Sequence, residues 1–291
     1  MDAKLTLPIT ESTLEQLQLK SVAYRRMIVK MIYNTRAGHT GGDLSCVDVL
    51  NVLYNRVMNL TPDNFCQVDR DHYIHSKGHS VEALYAVLAE CGFFPLERLN
   101  SLEKAGSEYI GHPTRSVPGV EQNTGALGHG LSVAVGMAIA AKKDGRANRI
   151  FTMMGDGELG EGSIWEASMS AAHYRLDNLV VIVDRNTLQI SGRTESVMSL
   201  EPLAARFAAF GYAVRQVNGN DIQALLDLFE RLPFEAGKPN LVLANTTKGK
   251  GISYMEDQAS WHHRVPTDEE LRLAMAELDQ AEAAIRRSYG H

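Results

Sequence analysis

Ile150-Phe151-Thr152-Met153-Met154-Gly155-Asp156-Gly157-Glu158-Leu159-Gly160-Glu161-Gly162, with Leu179-Val180-Val181-Ile182-Val183-Asp184-Arg185-Asn186 a short way beyond it, is the stretch that decides the fold. The apolar run from Ile150 to Met154 predicts a strand that ends in Gly-Asp-Gly. A helix is expected from Glu161 to Arg175, and a second apolar strand from Leu179 to Val183. In such a strand-helix-strand unit the carboxyl ends of the parallel strands share one edge of the sheet, where open α/β folds place their ligands. Asp156 and Asn186 therefore reach the same edge. Further strands at Ala213 to Val217 and Leu241 to Ala244 alternate with helical stretches such as Ile222 to Arg231. Alternation of this kind predicts an α/β fold, a mainly parallel sheet with helices on both faces.

The two side chains suit a magnesium and diphosphate clamp. Mg²⁺ takes oxygen ligands in an octahedron and shares its shell among a carboxylate, phosphate oxygens and water. Asp156 supplies the carboxylate, Asn186 an amide oxygen, and the backbone carbonyl of Leu188 can close the protein side. Gly155 and Gly157 let the backbone turn sharply and approach an anion, and the following helix N-terminus favours negative charge. A plain Gly-Asp-Gly turn is the alternative, since both residue types favour turns. The flanking strands and the strand-borne Asn weigh against it.

Around this unit lie Gly38-His39-Thr40-Gly41-Gly42, Ser76-Lys77-Gly78-His79, Gly111-His112-Pro113, Thr124-Gly125-Ala126-Leu127-Gly128, and Lys248-Gly249-Lys250-Gly251 with Trp261-His262. In this order and spacing they resemble the transketolase family, and Gly155 to Asn186 resembles its thiamine diphosphate motif. The resemblance covers most of the chain, but only the first half of a transketolase: the diphosphate-binding domain, as found where the enzyme is split into two polypeptides.

That resemblance implies thiamine diphosphate and Mg²⁺ as cofactors, with Mn²⁺ or Ca²⁺ as substitutes, and transfer of a two-carbon ketol unit from a phosphorylated ketose to an aldose. Metal ligands would be Asp156, Asn186 and Leu188; the cofactor would touch His79, Gly125, Leu127, Gly155, Asp156, Gly157, Glu161, Asn186 and His262. His39, His79, His112 and His262 are the expected catalytic histidines, imidazole being suited to moving protons near neutral pH. His112 would meet the donor near its carbonyl, His79 would line the pocket by the cofactor rings, and His39 and His262 would handle the acceptor oxygen. Glu161 would join a carboxylate network reaching another subunit, although the first turn of a helix favours acids in any case. His72, His75, His173 and His291 are expected to be ordinary surface or hydrogen-bonded residues. Four positions depart from the family pattern: Thr40 in place of a common proline, Thr114 of an acidic residue, His129 of a glutamine and His263 of a glycine.

The glutamate that activates the aminopyrimidine comes, in the family, from a pyrimidine-binding domain that no segment here resembles. The implied partner is a C-terminal transketolase subunit carrying it, in an α2β2 heterotetramer. Two other readings share some of these features: the α subunit of a 2-oxo acid dehydrogenase, and a non-catalytic orphan transketolase half.

Composition is compatible with all three. The 291 residues, 44% hydrophobic and 22% charged, are near globular averages. No run of about 18 apolar residues predicts a membrane span. The net charge of −6 argues against a nucleic-acid partner, and Lys248 and Lys250 make too short a basic run to suggest one. Three cysteines form no paired framework, and Asp2, Lys4, Glu11 and Glu15 interrupt the N-terminus where a signal peptide would be apolar, so a cytoplasmic location is expected. Helices are predicted over Leu14 to Thr35, Asp43 to Met58, His129 to Lys142 and, behind a Thr267/Glu270 capping box, Asp268 to Arg287. The small residues of the helices after Gly128 and Glu161 fit close packing either within the domain or between subunits. With no linker in evidence, residues 1–291 read as a single domain with a helical N-terminal region.

Overall fold

The computed structural model describes residues 11–291, so Asp2 and Lys4 of the N-terminal reading lie outside it. Five parallel strands make the sheet: β1 (His72–His75), β2 (Ile150–Gly155), β3 (Leu179–Arg185), β6 (Ala213–Asn218) and β7 (Asn240–Asn245). They stand in the order β1-β2-β3-β7-β6. Two short strands, β4 (Leu188–Gln189) and β5 (Gly192–Arg193), pair as a separate antiparallel hairpin just after β3.

Alternate side chains leave a strand on opposite faces, and here they divide the core into two layers. On one face Phe151, Met153, Val180, Ile182, Val242 and Ala244 pack with helices α1 (Glu11–Thr35), α2 (Thr40–Val52) and α3 (Val81–Glu90). On the other, Ile150, Met154, Leu179, Val181, Val183, Leu241 and Leu243 meet α4 (His129–Lys143), α5 (Gly162–His173) and α7 (Leu203–Phe210). Every residue of β3 is buried, as expected for a central strand covered on both sides. Each fully buried Val, Leu or Ile contributes roughly 1.5–3 kcal/mol, so the central strands anchor whatever is mounted at their ends.

The remaining helices are α6 (Thr194–Val197), α8 (Ile222–Phe229) and α9 (Asp268–Ser288). The Thr267/Glu270 capping box of α9 is formed in both directions. The helix predicted to run through Met58 instead ends as α at Val52 and continues as one wide turn, Leu53–Val57. Strand β1 is an addition to the predicted strands: it is four residues long, and two of them are histidines. Its register, His72 opposite Ile150 through His75 opposite Met153, makes it the edge neighbour of β2. No described helix is long and apolar enough to cross a membrane.

Candidate functional site at the carboxyl edge of the sheet

Strands β1, β2 and β3 deliver their following loops to one edge. In register, Gly155 at the end of β2 lies opposite Asp184 of β3, so Asp156 and Asn186 emerge side by side. Asp156 is almost fully buried. Its Oδ1 accepts from the Gly157 amide at 2.8 Å, and its Oδ2 accepts from the Thr187 amide at 2.6 Å and from Arg185 Nη1 at 3.0 Å. Burial, and then the charge of Asp184, still raise its pKa, against the lowering effect of Thr187 and Arg185. A cation at this carboxylate would relieve that strain. Asn186 Oδ1 accepts from the Leu188 amide at 3.1 Å while its Nδ2 donates to Asp184 Oδ2 at 3.0 Å. The donor set of carboxylate, amide oxygen and the Leu188 carbonyl consists of hard oxygens and fits Mg²⁺ chemically.

Two lysines take part at this edge that stand in the quoted motifs without an expected role there. Lys77 is buried and ion-paired with Asp184, and its Nζ also donates to the Gly42 carbonyl at 3.0 Å. Burial alone would raise the Asp184 carboxyl, but Lys77 and the hydroxyls of Ser45 and Thr246 together hold it below its ordinary value. Lys248 donates to the Leu188 carbonyl at 2.9 Å and contacts His262 Nδ1 at 2.7 Å. Burial and the charge of Lys77 bring its pKa down to about 8. With Lys248 donating to Nδ1, the neutral His262 ring carries its proton on Nε2.

The four expected catalytic histidines converge. The His39 ring lies 5.1 Å from His79, 6.5 Å from His112 and 5.5 Å from His262, and His79 stacks on His262 at 5.6 Å. His263 joins them at 4.6 Å from His39. All four predicted rings are half-buried. Burial first, then the charges of His263, His112 and the two lysines, push His39 down to about 4. Burial and Lys248 hold His262 at about 3, and His79 is pushed well below the usual range by burial and Lys77. At neutral pH these three rings are uncharged, able to donate from one nitrogen and accept at the other.

Glycines make the crowding feasible. A Cβ on Gly125, whose φ is +134°, would sit 2.6 Å from the His112 ring. One on Gly78 would sit 2.7 Å from the Gly125 amide, so the loop after β1 and the Thr124-Gly125 strap fit only without side chains there. Glu158, absent from the expected site residues, ties the edge together: its buried carboxyl accepts from the Gly155 amide at 3.1 Å, the Gly128 amide at 2.9 Å and the Ser76 hydroxyl. Its place in the first turn after Gly-Asp-Gly is the available signal. Leu127, half-buried, precedes Gly128. Glu161 is exposed at the N-cap of α5, against Gly128.

The departures fall into two groups. His263 enters the cluster, and the Thr40 hydroxyl donates to the Arg264 carbonyl at 2.7 Å, fastening the His262-His263 loop to α2 in a way proline could not. Thr114 and His129 bond only to nearby loop atoms. Of the other histidines, His72 contacts Arg70 and Glu121, His75 is buried against Tyr73 and Ser80, His173 touches Tyr174 and His291 meets Glu15.

Residues 18–282 match the family described as "Transketolase, thiamine diphosphate binding domain". The chain is 50% identical over 266 residues to an apulose-4-phosphate transketolase subunit of Phocaeicola vulgatus, covering 91% of this chain and 95% of that one. It is 40% identical over 265 residues to the 6-deoxy-6-sulfo-D-fructose transketolase subunit SqwG of a Clostridium species, covering 91% and 96%. Among solved structures, transketolase from Campylobacter jejuni superposes with a TM-score of 0.80 at 29% identity over 94% of this chain, and that from Leishmania mexicana with 0.80 at 27% over 93%. This chain spans under half of those two, 48% and 46% of their lengths.

Proposed function

The chain belongs to the transketolase family through its thiamine diphosphate-binding domain, and on that premise we propose that it is the cofactor-holding subunit of a two-component transketolase. It would move a two-carbon ketol unit from a phosphorylated ketose to an aldose. The observation that carries the reading is the meeting of His39, His79, His112 and His262 at the edge where Asp156 and Asn186 emerge. Thiamine diphosphate, when bound, supplies the electron sink for the two-carbon unit. The protein supplies grip, orientation and proton transfer.

Asp156, Asn186 and the Leu188 carbonyl would hold Mg²⁺. Lys248 lies on that carbonyl, placed to turn its charge toward a diphosphate, and Gly155 and Gly157 leave the backbone open to it. His79 and His262, stacked on one another, would border the cofactor, and Gly125 and Leu127 would also touch it. His112, propped on Gly125, would orient the donor near its carbonyl. Between them, His39 and His262 would exchange a proton with the acceptor oxygen, for which neutral rings are the right starting state. Glu161, exposed beside Gly128, would serve the carboxylate network across the subunit boundary.

The partner would be a C-terminal transketolase subunit bearing the pyrimidine-binding domain, the two chains forming an α2β2 heterotetramer in the cytoplasm, with residues 1–291 as one domain. Relatives matched along nearly their whole length are themselves named as transketolase subunits, which supports a split enzyme. Their names make apulose 4-phosphate the first donor to test and a sulfonated ketose the second. The test is reconstitution. The purified chain alone should show no ketol transfer, and addition of the partner subunit, thiamine diphosphate and Mg²⁺ should start it. Turnover by the single chain would overturn the division of labour; decarboxylation of a 2-oxo acid by the pair would favour the dehydrogenase alternative.

A further inference from the structure

Asp43 in the first turn of α2 and Glu82 in the first turn of α3 are both buried, and neither is part of the site described above. Asp43 Oδ1 accepts from the Ala83 amide at 2.8 Å, so it caps α3 from a neighbouring helix; Ser80, the residue at the N-cap itself, makes no capping bond. Asp43 Oδ2 and Glu82 Oε2 are buried and receive no donor from any other described residue, and the two side chains lie within hydrogen-bonding reach of each other. Two carboxyl groups can bond in this way only if one of them carries a proton. The other Glu82 oxygen faces the backbone at Gly38, where a Cβ would lie 2.7 Å from it. Gly38 precedes His39, whose carbonyl accepts the Asp43 amide at 3.2 Å. Glu82 follows His79 by three residues.

We infer that Asp43 and Glu82 are a positioning pair that shares one proton and thereby fixes the loop of His39 against the loop of His79. The inference rests on the proposed function only for what those two rings do. Losing the shared proton would set two buried carboxylates against each other, and like charges in a dry site repel strongly. The loops would then be driven apart from within. The groups facing the pair reinforce the assignment. Burial pushes Asp43 up to about 7 despite Lys77, and lifts Glu82 well above its usual value, with Asp43 and Glu103 adding to the effect. Cys46 and Tyr85, also beside the pair, are raised by burial and remain neutral at pH 7. Asp43 already accepts the Ala83 amide and so takes the accepting side of the pair, which leaves Glu82 as the group that carries the proton.

The folded state holds this proton at pH values where the unfolded chain has released it, so stability falls as pH rises from the ordinary glutamate range toward the raised value. One such proton changes the folding constant by about tenfold per pH unit. The direct test follows the ¹³C-labelled carboxyl carbons of the full wild-type chain by NMR against pH. One glutamate carbon should remain protonated at pH 7, and its signal should vanish in E82Q, whose amide donates to Asp43 permanently. The ring signals of His39 and His79 should move with the Glu82 titration in the wild type and stay still in E82Q, while those of exposed His173 should be indifferent. E82Q should also lose about tenfold per pH unit of the alkaline decline in folding constant. If every glutamate carbon titrates in the ordinary range, or the two rings do not respond when Glu82 does, the pair is not a proton-sharing positioner. The wild-type titration decides the first point even if E82Q fails to fold, and none of these measurements requires turnover.

Discussion

Replacing Lys77 by methionine tests how the ligand edge is held together. Lys77 and Asp184 side chains are 1% and 0% exposed, and breaking such a pair by removing one partner costs about 3–5 kcal/mol, because a charge is left uncompensated in the interior. The two halves are not equivalent. After Lys77→Met the Asp184 carboxylate keeps donors from Ser45 at 2.6 Å, Asn186 at 3.0 Å and Thr246, which places the loss near the lower end, about 3 kcal/mol. After Asp184→Asn the Lys77 ammonium loses its counter-charge and keeps the Gly42 carbonyl at 3.0 Å, so the loss approaches about 5 kcal/mol. Urea unfolding reads both losses, and thermal unfolding should show a fall in Tm of about 5–10 °C for the milder variant. The double variant, Lys77→Met with Asp184→Asn, should cost less than the sum of the two, since no buried charge is left alone. The pH dependence has a definite sign. Asp184 is held below its ordinary pKa, so its contribution is present above the unfolded value and disappears as pH falls through the folded one. The gap between wild type and Lys77→Met should therefore narrow in acid. A loss under about 1 kcal/mol, or a Lys77→Met variant worse than Asp184→Asn, would refute the reasoning.

Asp156→Ala and Asn186→Ala should each weaken Mg²⁺-dependent binding of thiamine diphosphate by about 100-fold or more while the fold persists, as removal of one hard oxygen ligand is worth several kcal/mol; calorimetric titration with unchanged affinity in both would end the clamp assignment. His112→Ala should lower turnover at least about tenfold through the donor, with cofactor affinity nearly unchanged in the same titration. If His112→Ala instead melts the protein or loses the cofactor, its role is structural. Lys248, at about 8, should make cofactor affinity fall between pH 7 and 9 as the ammonium is lost, and Lys248→Met should bind weakly with a flatter profile; a wild-type affinity independent of pH would remove Lys248 from the diphosphate site.

The sequence makes some of this legible and hides the rest for physical reasons. Strands β2, β3, β6 and β7 announce themselves as apolar runs bounded by helical stretches, and sheet order places their ends as the alternation implies. The histidines are readable because each stands in a short loop beside glycine, proline or tryptophan. Strand β1 is not, since His72-Tyr73-Ile74-His75 has too few apolar residues to reveal a strand; its pairing with β2 is what makes it one. Contacts between residues far apart in the chain leave no local trace. Lys77 and Asp184 are 107 residues apart, and Ser76 and Glu158 are 82 apart.

Hidden pairs of this kind explain how the edge can be both crowded and charged. Asp156 and Asp184 end adjacent parallel strands, and together they would repel in a buried site. Arg185 answers the first and Lys77 the second. Both cations also bond onward, Arg185 to Glu195 and Glu201 and Lys77 to the Gly42 carbonyl, so each is fixed from two sides. Lys248 differs: its bonds go to a carbonyl and an imidazole, and neither bears negative charge. Of these three cations among the described residues, Lys248 is therefore the one whose charge is left for an incoming anion, and its lowered pKa is the cost of holding it there before the anion arrives. A diphosphate bound beside it should raise that pKa, so uptake of the cofactor at pH 8 should draw a proton from solution. Titrations in buffers of different ionisation enthalpy measure this uptake; it should be a substantial fraction of one proton in the wild type and absent in Lys248→Met, and equal uptake by both proteins would show that another group meets the phosphates.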